Sequence, residues 1–325
     1  MAEAQGSFAG NTRLKHYPDV AATPGYGKIA KWSLDHAGIL AGIYLDIQGT
    51  CTGTLSAFNA FGFSSIIRQV RAYLSTGVDL HMITGPGYCY LMRDYIEDYK
   101  DPLPQTNGRS AVSAAAYNIG MFLPFQINAR DLPGLILLQQ ERVSLNLSVE
   151  VEALANVATG LTDGGPTITP CYEIFTVPPN QIDRPPFNLV QSWMEESQVV
   201  GGAGDWPYPW PRGNTILSML HGFGMGVSGA DNWSRAIMRV QQNDRIDEYT
   251  PAFQDMVFSR FHGRARPKGT LAYDYFGSSG LGSYGNARDA LVTQNVTSAK
   301  TVITVTGAGN LCCLRREMIA VKPPE

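Results

Sequence analysis

No run of about 18 apolar residues occurs anywhere in this 325-residue sequence, so no part of it reads as a helix able to cross a bilayer. The opening residues, Met1 to Asn11, lack the apolar core of a signal peptide, which predicts a chain made in the cytoplasm. Cysteine is scarce. Cys51, Cys89, Cys171, Cys312 and Cys313 form an odd set with no C-x-x-C pair, which argues against a disulfide framework and for reduced core thiols. Charge is scarce too, at 16% of residues with a net balance of −3. With no basic excess to hold phosphates, direct contact with nucleic acid is not expected.

The constellations that carry catalysis are also missing. Gly27-Lys28 is followed by Ile29, so the hydroxyl a P-loop needs for magnesium is absent. His16, His36, His81, His221 and His262 never take the H-x-H or H-x-x-x-H spacing that aims two imidazoles at one metal. Gly222, Gly224 and Gly226 alternate like a dinucleotide fingerprint without its helix, and Gly226-Val227-Ser228-Gly229 falls short of a nucleophile elbow. Asp79 and His81 share one face of an expected strand and read as an exposed ion pair, while Glu195 and Glu196 diverge on an expected helix. No catalytic, cofactor-binding or metal residue is assigned, and the chain is read as a structural protein rather than an enzyme.

What is plentiful points to β structure. Hydrophobic residues make up 44%, enough to fill large cores, and 34 glycines with 20 prolines suit many short strands joined by tight turns. Ile43, Leu45 and Ile47 alternate with Tyr44, Asp46 and Gln48, the period of a strand buried on one face. The same period runs unbroken from Val143 to Glu152. Further strands are expected at 66–74, 78–83, 121–125 and 171–177, and a helix from Pro86 to Tyr99, where proline suits the first turn.

The second half repeats this order. Strand-like runs at 237–240 and near Ile246 precede Thr250-Pro251, a helix through Phe253, Met256, Val257 and Phe261, then strands at 301–305 and 311–321. Asn128-Ala129-Arg130-Asp131 recurs as Asn286-Ala287-Arg288-Asp289, about half the chain away and at the same place in the order. An internal duplication follows, with an extended N-terminal arm over 1–25, a first unit over 26–180 and a second over 181–325. A connector with a linking helix is expected at about 178–197. The stretch Gly201 to Gly213 reads as an irregular loop carrying Trp206, Tyr208 and Trp210, rings that offer a sugar or partner platform or, as aromatics interleaved with proline more often do, pin the loop against its own domain.

The stretch Phe122-Leu123-Pro124-Phe125, Arg130-Asp131-Leu132-Pro133-Gly134-Leu135-Ile136-Leu137-Leu138-Gln139 and Val143-Ser144-Leu145-Asn146-Leu147 resembles double jelly-roll major capsid proteins of icosahedral, internal-membrane-containing viruses, tectivirus-like and corticovirus-like phages among them. Tyr172-Glu173-Ile174-Phe175, Arg184 and Leu189-Val190-Gln191 are similar to that family's passage between its rolls. The resemblance implies two tandem eight-stranded jelly-roll sandwiches with short helices in loops. It also implies a homotrimer of pseudo-hexagonal outline that meets neighbouring capsomers, minor capsid and vertex proteins in the virion. Arg13, Lys15 and His16 would meet lipid headgroups of the internal membrane or a neighbouring copy. Trp206, Tyr208 and Trp210, with the 105–115 loop, would contribute trimer contacts. Rival readings on the same architecture are a glycan-removing amidase and a copper monooxygenase, and a third is a carbohydrate- or receptor-binding spike module.

Overall fold

The computed structural model describes residues 12–34, 37–52, 57–58, 66–83, 116–126, 134–138, 143–160, 162, 164–180, 189–223, 231–240, 244–262, 266, 268–274, 291–293 and 296–320. They fall into two compact units. The first holds the described residues up to Trp193 together with 318–320, and the second runs over Met194–Glu317. The division therefore lies inside a strand, further along the chain than the expected boundary at 180.

The first unit contains β1 (Leu14–Pro18), β2 (Ile29–Leu34), β3 (Gly38–Thr50), β4 (Ala57–Phe58), β5 (Ile67–Leu74), β6 (Asp79–Ile83), β7 (Ala116–Pro124), β8 (Ile136–Leu138), β9 (Leu145–Val151), the short helix α1 (Leu154–Val157), β10 (Ala158–Thr159) and β11 (Thr167–Phe175). One sheet has the order β1-β11-β3-β7, with β8 also on β3, and a second runs β6-β5-β9-β2. The alternation seen in sequence is what makes them two-sided. Leu145, Leu147, Val149 and Val151 of β9 are buried while the residues between them are half-buried, and β11 alternates in the same way. Ile43, Leu45 and Ile47 on β3 are fully buried.

The second unit contains β12 (Leu189–Val200, which opens before the division), β13 (Gly204–Pro209), β14 (Thr215–Phe223), β15 (Trp233–Val240), β16 (Asp244–Tyr249), the helix α2 (Pro251–His262), β17 (Thr270–Asp274), β18 (Leu291–Val292), β19 (Ala299–Val305) and β20 (Gly309–Ala320). Its sheets run β12-β20-β14-β17, with β18 also on β14, and β13-β19-β15-β16. Strand for strand this is the order of the first unit: β12 stands for β1, β20 for β11, β14 for β3, β17 for β7, and β13, β19, β15 and β16 for β2, β9, β5 and β6. The expected duplication is thus present in the topology. The two Asn-Ala-Arg-Asp copies, the expected first helix at 86–99 and the 105–115 loop lie outside the described residues.

Helix α2 forms where it was expected, and for the expected reason. The Thr250 hydroxyl accepts from the Phe253 N–H at 3.3 Å, and Pro251 opens the first turn, where its missing N–H costs nothing. On the opposite face Gln254 is buried, its amide exchanging two hydrogen bonds with the Ala272 backbone of β17 at 3.2 and 3.3 Å.

Three expectations are corrected. Residues 189–200, expected to carry a linking helix, form strand β12, because Val190, Gln191, Ser192 and Trp193 are all buried and both strand faces are covered. The 201–213 loop contains strand β13, outermost in its sheet among the described residues, where Pro207 and Pro209 are tolerated because one edge needs no ladder donor. The N-terminal arm is not separate from the roll: β1 pairs with β11 from Leu14 opposite Phe175 to Pro18 opposite Cys171, and Asp19 and Ala22 donate to the Pro170 and Ile168 carbonyls.

Candidate functional site

Arg13, Lys15 and His16 are exposed along β1, the outermost strand of its sheet among the described residues. Arg13 is fixed by its backbone, its N–H donating to the Thr176 hydroxyl at 3.0 Å, and His16 Nε2 lies 3.2 Å from Glu173 Oε1. The strand is pinned further along the chain by two buried aromatics: Trp32 Nε1 donates to the Val20 carbonyl at 2.9 Å, and Tyr172 OH to Asp19 Oδ2 at 3.2 Å. The cations expected to meet a partner are therefore presented on a sewn-in edge rather than on a free arm.

Tyr208 and Trp210 belong to the core, at 3% and 4% exposure, packed among Ile216, Met219, Trp233 and Ile303. Trp206 is half-buried against the same core and donates Nε1 to the Gly202 carbonyl at 3.0 Å. Their period of two is that of β13, so the three rings share its inward face, and neither Tyr208 nor Trp210 is open to a partner.

The interior of the second unit holds a charged network that the sequence reading did not single out. On β20, Arg315 Nε donates to Glu317 Oε1 at 2.7 Å, while its NH1 reaches Glu196 Oε1 at 2.8 Å and the Tyr208 hydroxyl at 2.8 Å. Tyr208 OH in turn donates to Glu196 Oε2 at 2.6 Å, and Asn214 Nδ2 to Glu317 Oε2 at 2.6 Å. Beside it His221 stands edge-on to the Tyr208 and Tyr273 rings, with Nε2 4.0 Å from Cys313 Sγ. Burial and then the Arg315 charge push the His221 pKa down to about 3, so its imidazole is neutral, and burial raises the Cys313 thiol. The readable signal was Arg315-Arg316-Glu317 inside an apolar strand, with positions 315 and 317 on one face.

A second knot ties α2 to its surroundings. Arg266, whose side chain is fully buried, donates Nε to Asp255 Oδ1 at 3.0 Å and NH2 to Asp231 Oδ2 at 2.8 Å, and its NH1 donates to the Thr270 carbonyl. Lys268 Nζ bridges the same two carboxylates at 2.9 and 3.4 Å. Burial alone would raise the Asp231 carboxyl, but the Arg266 hydrogen bond, the Gly269 N–H and the two cations outweigh it and hold it low.

Both networks brace the second unit from within. Asp79 is held by Arg71 in a two-point pair at 2.7 and 3.3 Å. Among the described residues no group of three His, Cys, Asp or Glu side chains is disposed to hold a metal, and Cys51, Cys171, Cys312 and Cys313 are free thiols. Glu195 is buried while the Glu196 side chain is 54% exposed, so these neighbours face opposite ways on a strand, not a helix.

Two sandwiches of matching strand order in one chain define a tandem jelly-roll protein. No family profile and no curated protein matches the sequence. Solved structures do. The major capsid protein of Sulfolobus turreted icosahedral virus aligns with a TM-score of 0.71 at 10% identity, over 95% of this chain and 97% of that one. The major capsid protein of bacteriophage PM2 aligns at 0.64 and 11%, over 95% and 98%, and the capsid of PBCV-1 virus at 0.69 and 10%, over 95% and 94%. The chain has the double jelly-roll fold of these viral capsid proteins.

Proposed function

We propose that this chain is the major capsid protein of an icosahedral virus, with a structural role and no catalytic one. The observation that carries the reading is a duplicated sandwich topology matching viral capsid proteins over nearly the whole of both chains. Three copies would bring six rolls into a capsomer of pseudo-hexagonal outline, which tiles into the virion beside minor capsid and vertex proteins. Strands closed into sandwiches protect most edges, leaving loops and a few outer strands for assembly. Arg13, Lys15 and His16, exposed along β1, would face lipid headgroups of an internal membrane or another copy. Of the aromatics in 206–210, only Trp206 keeps part of its ring at the surface, so a trimer contact there narrows to that side chain. The absence of a basic excess fits a shell that does not grip the genome directly.

The test is the mass of the purified chain in solution together with negative-stain images. Particles of three times the chain mass with hexagonal outlines are expected. A monomer at every accessible concentration overturns the reading.

A further inference from the structure

The two units differ in what their matching central strands bury. β3 fills the first core with Ile39, Ile43, Leu45 and Ile47, whereas its counterpart β14 carries a fully enclosed His221 beside Ile216, Met219 and Phe223. Among the described side chains of the first unit the one histidine, His16, is 55% exposed. A titratable ring is therefore sealed into one copy of the duplicated sandwich and has no described equivalent in the other.

The strands around this imidazole bring polar groups that do not suit its charged form. β13 gives Tyr208 and β17 gives Tyr273, both edge-on to the ring, with centres 5.3 and 6.1 Å away. β20 gives Cys313, whose Sγ lies 4.0 Å from Nε2, and the Arg315 guanidinium. The nearby carboxylates are already engaged: Glu196 of β12 with the Tyr208 hydroxyl and Arg315, and Glu317 of β20 with Arg315 and Asn214. Nδ1 meets no hydrogen-bond partner among the described residues. An imidazolium needs acceptors for two N–H groups. This pocket offers one thiol sulfur and adds a like charge, so the closed roll refuses a proton that an opened one accepts.

We propose that His221 makes the second roll the acid-sensitive half of the chain, opening around β14 as pH falls while the first roll stays closed. The inference goes beyond the capsid reading and stands without it. In the closed roll the ring stays neutral down to about pH 3, and in an opened roll it takes a proton below ~6.5. Between those values the opening constant grows about tenfold per pH unit. In a shell, acidification then loosens each copy at one of its two rolls.

Buried thiols report each roll separately, Cys313 for the second and Cys51 for the first. The full chain is labelled with 4,4′-dithiodipyridine between pH 7 and 5, a window above the ordinary glutamate value near 4.3. Each site is assigned by peptide mass, and its rate is divided by that of a free cysteine peptide at the same pH. The corrected rate at Cys313 is expected to rise about 25-fold from pH 7 to 5, and that at Cys51 by less than about threefold. In His221→Gln, or in His221→Phe should the glutamine variant not fold, the rise at Cys313 is expected to vanish. A flat Cys313 rate, a parallel rise at Cys51, or a slope that persists without the histidine overturns the proposal. None of these outcomes bears on whether the chain trimerises, which is the test of the capsid reading.

Discussion

Arg315 and Glu317 stand two residues apart on one face of β20 and pair at 2.7 Å inside the second roll, where neither side chain is more than 6% exposed. Removing Glu317 leaves the buried Arg315 with only the half-exposed Glu196 as counterion and strips Asn214 of its acceptor. Glu317→Ala is expected to lower the unfolding free energy by about 3 kcal/mol, read from chemical denaturation. A loss below about 1 kcal/mol, the range of exposed pairs, would show that the pair is solvated.

Acid should weaken the second roll through His221. Its folded pKa, about 3, lies below the ordinary histidine value, so the unfolded chain takes up the proton first. The stability contribution is full above the unfolded value near 6.5 and is lost as pH falls from there toward 3, at up to about 1.4 kcal/mol per pH unit. Between pH 7 and 5, thermal melts of His221→Gln are expected to shift less with pH than those of the unaltered protein.

Arg266 joins α2, through Asp255, to Asp231 and the Thr270 backbone, with its guanidinium 5.6 Å from the Trp233 ring centre. Arg266→Gln strips two carboxylates of their buried cation. It is expected to cost about 3 kcal/mol and to raise hydrogen exchange in α2 before it does so in β19, since the helix loses its tie first. Equal effects on both elements would show that the knot does not anchor the helix.

The His16 and Glu173 pair serves as the contrast. With the histidine side chain 55% exposed, solvent screens the attraction. Glu173→Gln should change stability by about 0.5 kcal/mol or less, measured on the same denaturation curves. A larger loss would mean that β1 owes its place to this pair rather than to its ladder with β11.

Gly165 sits at φ +98° in the turn before β11, where an added Cβ would stand 2.5 Å from the Pro24 carbonyl oxygen and 3.0 Å from Gly25 Cα. Both obstacles are backbone, and the conformation itself disfavours a side chain. Gly165→Ala is expected to destabilise by about 2 kcal/mol, whereas Gly77→Ala, at φ +87° but in open space, should cost less. Equal losses in thermal melts would show that the close approach is not felt.

The strands that sequence made legible are those with one wet face. β9 and β19 alternate without a break because their intervening residues reach partial exposure. β14 was missed because Ile216 to Phe223 are all buried, which erases the period of two. β12 was misread for the same reason, since consecutive buried residues from Val190 to Trp193 show no period of two. β13 failed differently: Pro207 and Pro209 argue against a strand unless its place at the edge of a sheet is known, and that place is a property of pairing, not of local sequence. The charged network was hidden because Glu196, Tyr208 and Arg315 come together only when β12, β13 and β20 do.

The pairing of β1 with β11 also sets a timetable. Leu14 lies opposite Phe175, so β1, made early, waits for the last strand of its own roll before its ladder can form. Until then β11 is also missing from beside β3, and the growing first roll keeps a gap between its earliest and its central strands. Nascent chains arrested before Thr167 should thus stay open to proteases along Leu14 to Thr50, and become resistant there only once Phe175 has emerged.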